Sequence, residues 1–213
     1  MRFARLLEIV DQEPVFESGL LLAGVANANS VRQQLSRWVQ DGKLYQLRRG
    51  VYAVAPPFQK IKPHPFRIAN LLVHNSYVSL QSALAYFDLI PEYTPFTTSV
   101  TTTRPASWNT PLGSFSFRHV RTSLFYGFAR IEVSPQQSAF VATPEKALLD
   151  LVHLTACADD PSYLAELRLQ NLDQLNPEML LDLAKRSSQP KLVRAARSII
   201  ELANRERMEF QSL

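Results

Sequence analysis

The chain has 213 residues, 46% of them hydrophobic and 20% charged, with a formal net charge of +4; this is the composition of a soluble globular protein with enough length for one large domain or two small ones. Its longest apolar runs, such as Gly19 to Val25, fall far short of the roughly 20 residues of a bilayer span, and the opening MRFARLLEIVDQEP carries acids where a secretory signal has its apolar core. Membrane and secreted classes are therefore disfavoured, and a cytoplasmic protein is expected.

Apolar residues at helical spacing (Phe3, Leu6, Leu7, Val10) predict a first helix over Arg2 to Val10, closed by Pro14. A second short helix is expected from about Glu17 to Val25. In the third, Asn27 or Asn29 supplies the cap, Val31, Leu35, Trp38 and Val39 form the core stripe, and Gly42 ends it. Three short helices with a tight turn before the third form a helix-turn-helix pattern. On a wheel of 100° per residue, Asn29, Ser30, Gln33, Ser36, Arg37 and Gln40 of helix three point away from that stripe, with Arg32 on its flank. Amides, hydroxyls and guanidinium are the groups that pair with base edges and phosphates, and no carboxylate occurs before Asp41.

The next stretch, KLYQLRRGVYAV, predicts two strands, Leu44 to Leu47 and Val51 to Val54, with Gly50 providing the positive φ of a tight turn. A two-stranded ribbon after a helix-turn-helix is a wing. Arg48 and Arg49 at its tip would reach phosphates or the minor groove beside helix three. APPFQKIKPHPF, with its four prolines, reads as a stiff linker. Beyond it, helices are expected over Pro65 to His74 and over residues 79 to 87 with Ser79 as cap. Strands follow at 96–103, 114–120, 128–133 and 138–142. TPEKALLDLVHLTAC opens a helix with Thr143 as cap and Pro144 at its first position, and Asn176-Pro177 repeats that entry with Leu175 and Leu180 spaced for a staple. A basic amphipathic helix from Pro190 to about Arg207 ends the chain. The expected fold class is α+β: a winged helix-turn-helix over residues 1–56, a Pro-rich linker over 57–65, and over 66–213 a mixed domain with a small β-sheet and a helical C-terminal region.

Charge is unevenly placed. Residues 28–62 hold seven basic residues and one acid, 93–131 hold four arginines and no acid, 132–182 hold nine acids against Lys146 and Arg168, and 185–207 hold seven basic residues against two acids. Such blocks fit faces that meet a polyanion, and Arg194 and Arg197 in the last of them are candidates for a further nucleic-acid contact.

Chemistry is harder to find. No GxGxxG, GxxxxGK or GxSxG occurs, the four histidines (His64, His74, His119, His153) lack metal-ligand spacing, and a lone Cys157 forms no internal disulfide. Glu145, Lys146 and Asp150 form the most tempting catalytic cluster, but electrostatics at a helix start accounts for Glu145. His119 reads as a strand histidine with a local partner and Cys157 as core packing. No catalytic site, cofactor or metal is expected.

The order of features, LYQLRRGVYAV, then SYVSLQSALAYFDLI, then FVATPEKALLDLV, resembles the AbiEi family of antitoxins from type IV toxin-antitoxin systems. The most specific pieces are Arg49-Gly50-Val51-Tyr52, Ser79 with Ser82-Ala83-Leu84, and Pro144-Glu145-Lys146-Ala147-Leu148-Leu149-Asp150; Asp88 departs from the small residues that pattern has after its Ser-Ala-Leu helix. The resemblance implies a bacterial transcriptional autorepressor that binds inverted repeats in double-stranded DNA; because a single winged helix contacts few phosphates, two copies on paired half-sites are expected. It also implies an antitoxin that counteracts a nucleotidyltransferase toxin without needing a stable complex. The alternatives are a stand-alone winged-helix regulator whose C-terminal domain senses a ligand or protein partner, and a metal-dependent nuclease using Glu145.

Overall fold

A computed structural model describes residues 2–22, 27–91 and 95–211. The first part of the chain runs α1 (Phe3–Val10), β1 (Val15–Glu17), α2 (Ser18–Leu22), α3 (Ala28–Gln40), β2 (Leu44–Arg48) and β3 (Val51–Val54). It is followed by α4 (Pro65–Leu72), β4 (Ser76–Val78), α5 (Leu80–Tyr86), β5 (Phe96–Thr101), β6 (Ala106–Thr110), β7 (Gly113–His119), β8 (Phe128–Ser134) and β9 (Gln137–Ala142). The helices α6 (Pro144–Leu154), α7 (Pro161–Glu166), α8 (Pro177–Arg186) and α9 (Pro190–Gln211) complete it. The fold is mixed α+β with two sheets, one of three strands in the order β1-β3-β2 and one of six in the order β6-β7-β5-β4-β9-β8.

The small sheet is covered on both faces. Leu44, Phe16, Tyr52 and Val54 join Leu6, Val31, Leu35 and Trp38 in a core under the first three helices. Val15, Leu47, Val51 and Ala53, of opposite parity, belong to the large core that continues through α4, the six-stranded sheet and the C-terminal helices. Polar contacts span the same boundary: ion pairs of Lys60 with Asp11 at 2.8 Å and Arg67 with Glu13 at 3.3 Å, and His74 Nε2 at 2.9 Å from Glu17 Oε1. The Pro-rich stretch is held along its length, since Gln59 donates to Val54 O, Gln137 donates to Lys62 O, and the Gln137 Oε1 accepts from His64 N.

Three strands and helix ends differ from the sequence expectation. The expected helix from Glu17 begins at Ser18, because Val15–Glu17 pairs antiparallel with Val51–Ala53 as β1; positions 23–25 of that expectation lie outside the described residues. β4 lies at the centre of the large sheet and β6 at its edge, both unanticipated. β4 and β9 share a single register pair, Val78 with Val141. Where they diverge, the Asn70 amide takes the place of the ladder: its Oδ1 accepts from Phe140 N at 2.6 Å and its Nδ2 donates to Ser76 O at 3.4 Å.

At the start of α4 the cap is a histidine. His64 Nδ1 accepts from Phe66 N at 3.2 Å, and burial holds the pKa of this half-buried ring below its usual value. The fold thus favours neutral His64, so its contribution is present above the unfolded pKa, near pH 6.5, and is lost as pH falls through the lower folded value. Urea unfolding at pH 7 and pH 5 should show a smaller pH-dependent loss in His64→Asn, which caps without titrating.

Candidate nucleic-acid interface and buried polar cluster

Helix α3 is entered through Asn27, whose Oδ1 accepts from Ser30 N at 3.0 Å. It is left through Gly42, at φ +69°. Val31, Leu35 and Trp38 are buried beneath it, and the Phe3 ring meets Trp38 edge-on at 5.2 Å. Asn29, Ser30, Arg32, Gln33, Ser36, Arg37 and Gln40 are all exposed. Arg32 donates to Asn29 Oδ1 at 3.1 Å, which braces the first turn. Asp41, the first acid after this face, is engaged by Lys43 at 3.3 Å. The helix therefore presents amides, hydroxyls and two guanidinium groups with no carboxylate among them.

The hairpin that follows has a shorter turn than expected, because β2 runs one residue further, to Arg48. Its turn is Arg49-Gly50, with Gly50 at φ +85° and its carbonyl accepting from Ser18 N at 2.8 Å. Register passes from Gln46 opposite Tyr52 to Arg48 opposite Val51, so Leu47 is an extra residue in a bulge. Directly opposed residues share a face, so Arg48 lies on the side of Val51, toward the large core. The sequence reading set both arginines at the tip; only Arg49 sits in the turn and is exposed, while Arg48 is half-buried with its Nε out of solvent and unpartnered.

The Glu145, Lys146 and Asp150 side chains are buried on α6. Thr143 Oγ1 accepts from Lys146 N at 3.3 Å as the expected cap. Lys146 Nζ donates to Asp150 Oδ1 one turn on. Asp150 Oδ2 accepts from Tyr77 Oη at 2.9 Å and Ser79 Oγ at 2.8 Å. Ser79, expected to cap α5, thus donates to a carboxylate 71 positions later in the chain instead. The Lys146 ammonium also lies over the rings of Tyr77 and Tyr126, at 5.6 Å and 5.1 Å from their centroids. Burial, and then the Asp150 carboxylate, push the Tyr77 phenol far above its usual range, so it stays a donor. Glu145 Oε1 accepts from Asn176 N at 2.9 Å, joining α6 to the start of α8. Every polar end in this cluster faces another, an arrangement that ties β4, α6 and α8 together and leaves no carboxylate aimed at solvent.

Gly127 completes the enclosure. At φ +73°, a Cβ there would lie 3.0 Å from Lys146 Cγ and 3.1 Å from Cβ and Cδ. Gly127→Ala should destabilise the fold by about 1–3 kcal/mol through strain and overpacking, measured as a fall in the urea midpoint with an unchanged slope. Tyr77, Tyr126 and Gly127 were not singled out from the sequence; the one signal was the Lys146 and Asp150 spacing of four on an otherwise apolar helix.

In the C-terminal region Arg194 donates to Asp159 Oδ2 through Nε at 3.1 Å and Nη2 at 2.6 Å. That hydrogen bond holds the Asp159 carboxyl below its usual pKa. Arg197 is exposed. Cys157 is exposed rather than packed, because α6 stops at Leu154 and the cysteine falls in the following turn at φ +53°. His119 has its local partner, with Nδ1 3.0 Å from Thr103 O.

No protein-family model matches the chain, and no curated protein is significantly similar to it. Among solved structures, the crystal structure of RV2827C protein from Mycobacterium tuberculosis is similar with a TM-score of 0.49 and 16% identity, over 91% of this chain and 76% of that one. Among the described residues, no helix is long and apolar enough to cross a membrane and no group of three or more His, Cys, Asp or Glu is placed to hold a metal ion.

Proposed function

We propose that the N-terminal unit is a winged helix that binds double-stranded DNA, and that the protein is a cytoplasmic transcriptional repressor of its own operon. The observation that carries this reading is the exposed, carboxylate-free face of α3, from Asn29 to Gln40, followed directly by a hairpin with Arg49 in its turn. A helix of this width enters the major groove with its amides and arginines against base edges, and a cation at the ribbon tip meets the adjacent backbone. One such unit contacts few phosphates, so two copies on inverted half-sites supply the affinity. Lys146, Asp150 and Glu145 act here as structural groups rather than catalytic ones.

The ordered motifs that resemble the AbiEi family extend this proposal: the remainder of the chain serves as the antitoxin of a type IV system and counteracts a nucleotidyltransferase toxin without a stable complex. The test is a salt-dependent binding titration on the DNA upstream of the protein's own gene and on random duplex. Selective binding whose logarithm falls linearly and steeply with the logarithm of salt is expected; equal affinity for both duplexes would reject the repressor reading.

A further inference from the structure

Two basic blocks far apart in sequence meet at the C-terminal end of α6. Arg118, near the end of β7, donates through Nη2 to Leu154 O at 3.3 Å, and Lys191, in the first turn of α9, donates through Nζ to Thr155 O at 2.5 Å. Both cations satisfy carbonyls that a helix leaves open at this end, where positive charge is favoured. The residue just before these carbonyls, His153, lines a cleft of about 520 Å³ together with His119, Val120, Arg121 and Gln189. Among the described residues, no carboxylate lines it. Asp159, the acid that follows α6, is occupied by Arg194.

The imidazoles are oriented by their outer nitrogens. His119 Nδ1 lies 3.0 Å from Thr103 O, and a carbonyl only accepts, so Nδ1 carries a hydrogen. His153 Nδ1 lies 2.9 Å from Gln189 Oε1, so the Gln189 amide positions this ring. With a hydrogen on each ring nitrogen, an imidazolium donates through Nε2 as well as Nδ1. A guanidinium that pairs with two oxygens and imidazolium groups that donate to a third match the three terminal oxygens of a phosphate monoester. The cleft volume lies within the range of small-ligand sites.

We propose that this cleft is a phosphate-binding site, distinct from α3, that takes a phosphate monoester carried either on a free nucleotide or on the end of a nucleic-acid strand. Arg121 is its main anchor, and His119 and His153 are its supporting donors. The inference holds whether or not α3 binds duplex DNA.

Calorimetric titration of the full chain tests it, with adenosine monophosphate, a 5′-phosphorylated single strand of about ten nucleotides and the same strand without its phosphate as probes. The phosphorylated strand should bind about tenfold or more tighter than its unphosphorylated twin. Arg121→Ala and His119→Ala, both at exposed positions, should erase that difference, while Gln33→Ala with Arg37→Ala should leave it intact. Binding of the mononucleotide as well identifies a small ligand, and binding of the strand alone identifies a nucleic-acid end; either supports the site. Equal affinity with and without the phosphate, or a phosphate dependence that survives both cleft variants, would overturn it. Failure of the α3 variants to lose duplex binding would instead count against the winged-helix reading alone.

Discussion

Asp150→Ala is expected to cost about 3–5 kcal/mol of folding stability, the range for removing one partner of a buried ion pair. The loss follows from the surroundings: the side chains of Lys146 and Asp150 are 3% and 2% exposed, so the ammonium left behind has no access to water. Tyr77 and Ser79 lose their common acceptor in the same step. Tyr126 and Tyr77 offer Lys146 only ring faces, which return a fraction of what a carboxylate supplies. Urea unfolding should show the midpoint falling with little change in slope. Lys146→Met combined with Asp150→Leu removes both charges and should be less damaging than Asp150→Ala alone, because the unpaired charge is what dominates the penalty. A loss below about 1 kcal/mol for Asp150→Ala would mean that water reaches the cluster and that it is not the internal tie between sheet and helices described above.

The parts of the fold that were legible in the sequence are those whose order is local. Helix α3 could be placed from a cap at Asn27 or Asn29, of which Asn27 is the one used, the Val31, Leu35 and Trp38 stripe, and Gly42, because cap, stripe and stop all lie within one short segment. The Thr143-Pro144 and Asn176-Pro177 entries worked for the same reason, and Leu175 and Leu180 are both buried as the staple spacing implied. Strands β5, β7, β8 and β9 were long enough to show β texture. β1 and β4 have three residues each, too few for a period of two to be distinguished from chance. Their status as strands is set by partners far away, β3 for one and β5 and β9 for the other. Ser79 carried a valid capping signal, yet a buried carboxylate 71 positions later is a stronger acceptor for its hydroxyl than a backbone amide is a donor to it. Arg48 was misplaced because a bulge at Leu47 shifts the register by one, and nothing in the local composition announces it. The candidate site divided along the same line. The exposed residues of α3 followed from the wheel, whereas the cleft at His119, Arg121, His153 and Gln189 depends on β7, α6 and α9 arriving together.

The separation of Arg48 from Arg49 makes the proposed wing testable in a way that two tip arginines would not. Arg49→Ala should weaken binding to operator and random duplex by similar factors and lower the salt slope by about one counterion, the behaviour of a phosphate contact. Arg48→Ala should leave the slope unchanged, since its Nε is buried on the core side of the sheet and not at the turn. On α3, Gln33→Ala and Arg37→Ala remove exposed groups that brace nothing in the core. Each should cost about 1–3 kcal/mol of preference for the operator over a duplex with the contacted base pair changed, if it reads a base edge. Random-sequence affinity should fall much less, because the backbone contacts remain. If two copies bind inverted half-sites as proposed, each substitution acts twice on the assembled complex, and these losses should be larger on the full operator than on an isolated half-site. An Arg49→Ala variant with the wild-type slope would remove the hairpin from the interface, and α3 variants that weaken all sequences equally would make that helix a phosphate-binding surface rather than a reader of bases.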